Sequence, residues 1–243
     1  MSCPHLSGTA ALLKIAHSDW SPAAIKSVVM TTADQFNREG QPILDERELR
    51  ADVFAIGAGH VNPTKAITPG LIYDIHPMNY SRYLCGLGYT NIQIGLLVSQ
   101  KMNCSLISSI SEAELNYPSF SILLGEETRK YSRIVTNVGD GNSTYVASIA
   151  QIPGVHTVVE PMELVFTKVN QQATYMISFT RTGEDFGLFV EGSISWISKN
   201  HVVRSPISIK ILPSNTENNF SRRVVRSSLC TVLAHCLFYF IVL

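Results

Sequence analysis

The sequence predicts two structural parts in one chain: a segment dominated by helices, followed by an all-β sandwich. Apolar residues recur at helical spacing in the first thirty residues, whereas they alternate at period two within the region from 114 to 212. Clusters of glycine, proline and asparagine divide that second region into short pieces. These three observations indicate helices that precede a sheet-forming domain.

The composition excludes several classes of protein. The chain has 243 residues, of which 45% are hydrophobic and 16% charged, so it can bury a core. Its 19 basic and 19 acidic residues cancel, and this balance gives no net field to attract nucleic acid or an acidic membrane surface. The five cysteines form no C-x-x-C pair, and no cluster has the spacing of a zinc site. We predict no nucleic-acid partner, no metal and no cofactor.

Two helices are predicted at the start of the chain. The first lies between Leu6 and His17, where one face carries apolar residues at helical spacing. The second follows Ser21 and Pro22, which suit an N-cap and a first helical position, and it extends to about Thr31. The apolar residues of the two faces are Leu6, Ala10, Leu13, Ala16, Ile25, Val28 and Val29.

A lone histidine, His5, lies near the start of the first helix. A histidine in this position is more often a structural, hydrogen-bonded residue than a catalytic base, and we predict the structural role. The histidines that follow, His17, His60 and His76, have no neighbouring motif that would make one of them a base.

A glycine-rich segment runs from Gly57 to Pro63 (GAGHVNP). It lacks the third glycine of a dinucleotide loop and the lysine of a phosphate loop, so we predict no phosphate binding. Its glycines permit close approach of the backbone. Pro69 and Gly70 then suit a turn before the apolar residues 71–73.

Residues 75–113 are predicted to connect the two parts, with a polar, serine-rich stretch at 105–111. One short helix is indicated by four apolar residues, Tyr80, Tyr83, Leu84 and Leu87.

Residues 114–212 are predicted to form one fibronectin-III-like sandwich of antiparallel strands. Alternating apolar residues indicate strands at 175–179 and 207–211. Turn signals separate the strands at 139–142, 153–154 and 182–183.

Two large side chains of this region have more than one interpretation. Trp196 lies in an alternating strand, where an aromatic residue is more often part of the core than a ligand-stacking group, and we predict a core position. Arg204 forms either a salt bridge within the sandwich, which we favour, or a contact between the sandwich and the helical part.

Several motifs resemble the subtilisin-like serine proteases, specifically the plant subtilases. The chain begins with MSCPH, which in that family directly follows a Gly-Thr-Ser tripeptide containing the nucleophile. Residues 57–74 are similar to the segment that closes the family's peptidase domain. The sandwich is similar to the family's C-terminal domain at 115–119, 136–139, 153–155 and 201–207. The resemblance covers about residues 1–212 and implies an α/β remnant of a subtilisin-like peptidase domain, made of its C-terminal helices.

The resemblance implies a serine endopeptidase that cleaves polypeptides through an acyl-enzyme, but with no catalytic residue in this chain. The nucleophile would directly precede Met1, and Ser2 falls two positions after that slot. The base histidine, its orienting aspartate and the oxyanion asparagine lie far upstream in the family. The motif remnant beside the active site is Met1, Ser2, Cys3, Pro4 and His5. We therefore predict that this chain is inactive by itself.

The resemblance also implies a disulfide between Cys85 and Cys104, with two buried free thiols as the alternative in a cytosolic chain. Four sequons are glycosylation candidates that only the secretory pathway could use: Asn79, Asn103, Asn142 and Asn219. The intact family is extracellular, in the apoplast or cell wall, whereas this chain begins without a signal peptide.

Residues 213–243 depart from the family pattern. They end in an apolar run at 229–243, which is short for a membrane span. Three explanations stay open: a non-native tail, a tail anchor that contacts the membrane, and a lipid-anchor signal.

The predicted organisation is a peptidase remnant at 1–74, a linker at 75–113, the sandwich at 114–212 and the tail at 213–243. The main functional hypothesis is an inactive C-terminal fragment of a serine endopeptidase. The alternative is a non-catalytic module that binds a protein partner through the sandwich.

Overall fold

The computed structural model describes residues 2–183 and 189–212. The helices are α1 (Ser2–Ala16), α2 (Pro22–Thr31), α3 (Val53–Ile56), α4 (Pro63–Ile67), α5 (Pro77–Gly86) and α6 (Asn91–Val98). The strands are β1 (Leu71–Ile72), β2 (Phe120–Leu124), β3 (Arg129–Asn137), β4 (Ser143–Ile149), β5 (Val155–Glu160), β6 (Glu163–Phe166), β7 (Gln172–Arg181), β8 (Phe189–Ile197) and β9 (Val202–Ile211).

The first two helices form where the sequence predicts them, except that α1 already begins at Ser2. Ser21 is the N-cap of α2, and its hydroxyl accepts a hydrogen bond from Ala24 N at 3.0 Å. Both helices contact α4, and α2 also contacts β1. These elements share a small core, called here the helical core, which consists of Leu13, Trp20, Ala24, Val28, Ala66 and Ile72.

The linker contains two α-helices: α5 is the short helix that the sequence predicts, whereas α6 was not predicted. Thr90 caps α6 with a capping box: its hydroxyl accepts from Gln93 N at 3.3 Å, and Gln93 Oε1 accepts from Thr90 N at 2.9 Å. The capping residues are readable in the sequence. The apolar pattern of the sequence does not reveal α6, because its apolar residues lie on all sides of the helix and form no one-sided stripe.

The sandwich has two sheets, with strand orders β1-β3-β7-β5 and β2-β9-β8-β4-β6. Its neighbouring strands pair antiparallel except β2 and β9, which run parallel with Phe120 opposite Ile207. The expectation of a wholly antiparallel sandwich is therefore wrong at this edge. No hairpin joins β2 to β9, so turn geometry does not impose their relative direction.

The inward faces of the two sheets form the main core. The period-two pattern is confirmed in β7 and β9, whose alternate side chains are buried: Tyr175, Ile177, Phe179, Ile207 and Ile209. Trp196 of β8 is completely buried and meets the Tyr175 ring edge to face, with centroids 5.0 Å apart. The predicted core position of Trp196 is confirmed.

Strand β1 belongs to the sandwich although it precedes the linker. Leu71 pairs with Asn137 at the end of β3. Successive side chains then point in opposite directions, so Leu71 and Tyr73 lie in the sandwich core whereas Ile72 lies in the helical core. The predicted segment 1–74 therefore contains residues that belong structurally to both parts.

Candidate functional site

The N-terminal motif forms the first turn of α1. Residues 2–5 are exposed, and the Cys3 thiol is free. Met1 lies outside the described residues. The carbonyl of His5 accepts a hydrogen bond from Thr9 Oγ1 at 2.9 Å within the helix. The first turn of a helix has N–H groups without helical partners and a partial positive charge, so this end of α1 can stabilise an anion that forms beside it.

The histidines in the described part of the chain are not arranged as catalytic bases. The His17 ring stacks on Trp20 with centroids 3.7 Å apart, and its Nε2 donates to the Ile67 carbonyl oxygen at 2.8 Å. His76 Nδ1 accepts from Met78 N at 3.3 Å and caps α5. Among the described residues, no histidine ring bonds to the side chain of a serine, a cysteine or an acid.

One serine–carboxylate pair, Ser21 and Asp74, joins the start of α2 to the end of β1. The Ser21 hydroxyl donates to Asp74 Oδ1 at 2.5 Å. The same carboxylate oxygen accepts from Ile75 N at 2.8 Å, and the Asp74 carbonyl accepts from the side-chain amide of Asn116 at 3.0 Å. Because no histidine lies between serine and carboxylate, the pair holds elements together and has no means of activating the hydroxyl.

Arg204 connects the sandwich to the glycine-rich segment. Its Nη2 donates to the carbonyl oxygen of Ala58, whereas its Nε is buried without a hydrogen-bond partner. None of the ion pairs among the described residues involves Arg204. Burial lowers the pKa of the Arg204 guanidinium. The favoured interpretation, a salt bridge within the sandwich, is wrong, because β9 packs against α2 and α3 and this arginine faces the helical part.

A second contact with the sandwich lies at α3. The Glu191 carboxylate of β8 accepts from Val53 N at 2.6 Å, and the rings of Phe54 and Phe189 meet edge to face with centroids 5.2 Å apart. Glu191 therefore satisfies an N–H of the first turn of α3. Sequence reasoning does not identify Glu191, since a single glutamate in a strand carries no pattern.

A buried cluster of hydroxyl groups lies where the two parts meet. Tyr73 OH is 2.8 Å from Tyr175 OH and accepts from Ser205 Oγ at 3.2 Å. The backbone N–H of Tyr73 donates to Ser27 Oγ of α2 at 2.9 Å. Burial raises the pKa of both tyrosines, so the cluster is neutral at physiological pH. Tyr73 thereby connects α2 with the sandwich core.

The glycine-rich segment packs against the loop that follows α2. Asp34 and His60 form a short antiparallel bridge, and a Cβ on Gly59 would overlap the Asp34 carbonyl oxygen. Gly59 also has a φ of +130°, which L side chains rarely adopt. The segment ends where Asn62 caps α4 by accepting from Lys65 N at 3.0 Å. Backbone packing therefore explains why a glycine is required at position 59.

We expect Gly59→Ala to lower the free energy of unfolding by about 3 kcal/mol, because the new Cβ adds a steric overlap to a strained φ. Gly57→Ala is the matched control. Its φ of +60° and ψ of −125° are also unfavourable for alanine, but no atom lies within 4 Å of the added Cβ, so it should lose about 1–2 kcal/mol from backbone strain alone. Urea unfolding of both variants measures the difference. Equal losses would contradict a packing role for Gly59.

Asp34 forms a partly exposed ion pair near this segment. Its carboxylate accepts from Lys65 Nζ at 2.5 Å and from Asn62 Nδ2 at 2.7 Å. Partial burial by itself raises the pKa of Asp34, but the hydrogen bonds from Lys65 and Asn62 outweigh it and hold the pKa below its ordinary value.

The lowered pKa of Asp34 predicts a small loss of stability in acid. The contribution is present above the unfolded pKa, near pH 4, and is lost as the pH falls through the lower folded pKa. Because the pair is exposed, we expect less than about 1 kcal/mol. Thermal unfolding of the unsubstituted chain and of Asp34→Asn at several pH values below 5 measures it. The asparagine variant should lack this part of the pH dependence, and identical pH profiles would rule the contribution out.

An open cavity of about 470 Å³ lies between the helical part and the sandwich, and its lining includes Asp34, Lys65, His201 and Arg204. Asp34 and Lys65 already bind each other. Within the described ranges, no group of three or more His, Cys, Asp or Glu side chains could hold a metal ion.

The structure joins Cys85 of α5 to Cys104 by a disulfide. Two of the sequons, at Asn103 and Asn142, present an exposed asparagine. The third, Asn79, is half-buried in α5, where Arg82 Nη1 reaches its Oδ1 at 3.5 Å.

The fourth sequon, Asn219, and the apolar run at 229–243 lie outside the described residues. In the part that is described, no helix is both long and apolar enough to cross a membrane.

Comparison with known proteins identifies relatives of both parts. Residues 1–59 match the subtilase family, and residues 114–209 match a fibronectin type-III domain. The chain is 42% identical over 221 residues to subtilisin-like protease SBT1.2 of Arabidopsis thaliana, covering 87% of this chain and 28% of that protein. Identity is 43% over 212 residues to SBT1.7 of the same plant, covering 86% and 28%.

A tomato protein extends the comparison to a second plant. The chain is 40% identical over 218 residues to subtilisin-like protease SBT3 of Solanum lycopersicum, covering 85% of this chain and 28% of that protein. The chain therefore spans less than a third of the length of these relatives.

Proposed function

Because this chain belongs to the subtilase family of plant subtilisin-like proteases, we propose that it is the C-terminal part of a serine endopeptidase. The intact enzyme cleaves peptide bonds in polypeptide substrates through an acyl-enzyme. The observation that carries this proposal is the sequence identity of about 40% that extends through both the helical part and the sandwich.

The chain's contribution to that reaction is the first turn of α1. In the proposed enzyme the serine nucleophile directly precedes this helix, so the N-terminal N–H groups of α1 border the reacting centre. Their partial positive charge favours the negative charge that develops during acyl transfer. Leu13 of α1 is completely buried in the helical core, and this packing fixes the orientation of α1 relative to the other helices.

The chain by itself is proposed to be inactive. Acyl transfer requires a nucleophile, a base that hydrogen-bonds to it, a group that orients the base, and oxyanion donors. Among the described residues, the His17 and His76 rings bond to backbone groups, and Ser21 bonds to Asp74 with no base between them. Loss of a complete triad removes roughly a millionfold in rate.

Incubation of the purified full chain with a broad peptide library tests the inactivity, with an intact plant subtilase as the positive control. We expect no cleavage by the chain and no labelling by a fluorophosphonate probe that reacts with activated serines. Cleavage that persists in the purified chain would contradict the proposal. If that cleavage disappears in Ser2→Ala but not in Ser7→Ala, Ser2 is the nucleophile of a different active site.

The sandwich is proposed to brace the helical part from within the same protein. Its residues Phe189, Glu191 and Arg204 are engaged by the helical part, and Tyr73 is shared between the two. These contacts support an intramolecular role over the alternative of a sandwich that binds a separate protein partner. A pull-down with the full chain that recovers a specific partner, and loses it on Glu191→Ala, would favour the alternative.

We also propose that the protein is secreted to the plant cell wall and carries N-linked glycans. The disulfide between Cys85 and Cys104 supports an oxidising compartment, and the exposed sequons at Asn103 and Asn142 support access to the glycosylation machinery. Peptide mass spectrometry of the protein from apoplastic fluid checks both points.

A further inference from the structure

One sequon and the disulfide share a residue. In Asn103-Cys104-Ser105 the central residue is Cys104, whose sulfur is bonded to Cys85 of α5. We propose that this disulfide controls the glycosylation of Asn103: the glycan is added only while Cys104 is still reduced, and closure of the disulfide leaves Asn103 largely unmodified. The inference rests on the proposed passage of the chain through the secretory pathway.

The reaction explains why the neighbouring residue matters. N-glycosylation transfers an oligosaccharide from a polyprenyl diphosphate donor to the asparagine side chain. Asn103 Nδ2 forms a bond to the anomeric carbon and loses a proton, while the bond from that carbon to the diphosphate breaks and the diphosphate leaves. The transferase must accommodate the asparagine and the hydroxyl residue two positions later together. Residues 103–105 therefore have to leave the protein surface as one segment.

The folded linker opposes that departure. Cys104 N donates to Asn91 Oδ1 at 2.8 Å. Within the turn itself, Ser105 N donates to Asn103 Oδ1, and Leu106 N donates to the Asn103 carbonyl, both at 3.0 Å, so the sequon also has a fixed local conformation. The hydrogen bonds can break in a local opening, but the disulfide cannot, so the central residue of the sequon stays attached to α5.

The closed disulfide hinders addition of the glycan to Asn103 but does not affect a glycan that is already attached. The side chain of Asn103 is exposed, so a glycan attached before oxidation is compatible with the closed disulfide. Asn142 serves as an internal reference, because it is exposed in the turn between β3 and β4, outside the segment that the disulfide closes.

The test uses the full chain behind a cleavable secretion leader in a eukaryotic host. Glycans are released enzymatically in ¹⁸O-labelled water, and mass spectrometry gives the modified fraction of each asparagine. Cys85→Ser removes the disulfide and leaves the sequon intact, so we expect the modified fraction of Asn103 to rise about threefold or more. That of Asn142 should stay constant. Cys3→Ser removes an exposed free thiol and is the matched control, which should change neither fraction.

A second variant makes the result independent of one substitution. Cys104→Ser also removes the disulfide and keeps a sequon, so it should raise the modified fraction of Asn103 as Cys85→Ser does. Equal fractions at Asn103 in the unsubstituted chain and in both variants, whether high or zero, would overturn the inference while Asn142 remains modified. If Asn103 and Asn142 are unmodified in every variant, the inference fails, whereas the proposed secretion is tested separately by mass spectrometry of apoplastic fluid, because the added leader supplies entry into the pathway here.

Discussion

The sandwich expressed without β1, as residues 114–212, is expected to lose cooperative folding. Leu71 and Tyr73 are completely buried in its core. Loss of such side chains costs about 2–5 kcal/mol for a leucine and about 3–5 kcal/mol for a large aromatic residue. The sum is comparable with the whole stability of a small domain. The deletion also leaves β3 as an unpaired sheet edge.

Near-ultraviolet circular dichroism and thermal unfolding of 114–212 and 69–212 measure this effect. The longer fragment contains β1 and the linker and should unfold in one cooperative transition. In the full chain, Tyr73→Ala should lose about 3–5 kcal/mol, whereas the control Tyr73→Phe loses only hydroxyl contacts, about 1 kcal/mol. A fragment 114–212 that unfolds as cooperatively as 69–212, at the same temperature, would show that β1 is dispensable.

Replacement of Arg133 by alanine is expected to lower the free energy of unfolding by about 3–5 kcal/mol. This side chain is only 3% exposed. Its Nη1 donates to the carbonyls of Ala113 and Ser132 at 2.6 and 2.9 Å, and its Nε donates to the Tyr117 carbonyl at 3.0 Å. The guanidinium also lies over the Phe120 ring, 4.6 Å from its centroid. Alanine leaves a cavity and removes the donor to these carbonyls.

Three controls separate the causes of this loss. Arg129→Ala removes an exposed arginine from the same strand and should cost less than about 0.5 kcal/mol. Arg133→Lys keeps the charge but cannot reproduce the planar fork, so it should lose about 2 kcal/mol. In the unsubstituted chain, burial lowers the pKa of the Arg133 guanidinium. Arg133→Met keeps a similar volume and removes this buried charge. Urea unfolding that finds Arg133→Met as stable as the unsubstituted chain would show that the hydrogen bonds do not stabilise the fold.

Local signals in the sequence predicted individual elements well. Ser21 and Pro22 predicted the start of α2, since capping and the fixed φ of proline depend on adjacent residues. The alternation at 175–179 and 207–211 predicted which side chains are buried, because burial in a strand follows its pleat. By contrast, α6 was not predicted, because an all-round apolar helix has no periodic stripe.

The functional residues also divide into those that a local motif predicts and those whose contacts depend on distant parts of the chain. The motif at the start of α1 is local, and the family that it indicates is supported by the match of residues 1–59. The contact of Arg204 with the helical part was only the less favoured alternative, and that of Glu191 was not predicted, because each joins residues more than a hundred positions apart. A side chain's type does not indicate which distant backbone group it will meet.

The sequence by itself determined the family, the helices α1 and α2, and the alternating strands of a sandwich, because each depends on residue types at short spacing. The tertiary structure alone decided where one part ends and the other begins. Strand β1 pairs with β3 across the linker, and its pleat sends Leu71 into the sandwich core and Ile72 into the helical core. That assignment depends on a strand partner more than sixty residues away, which no local pattern encodes.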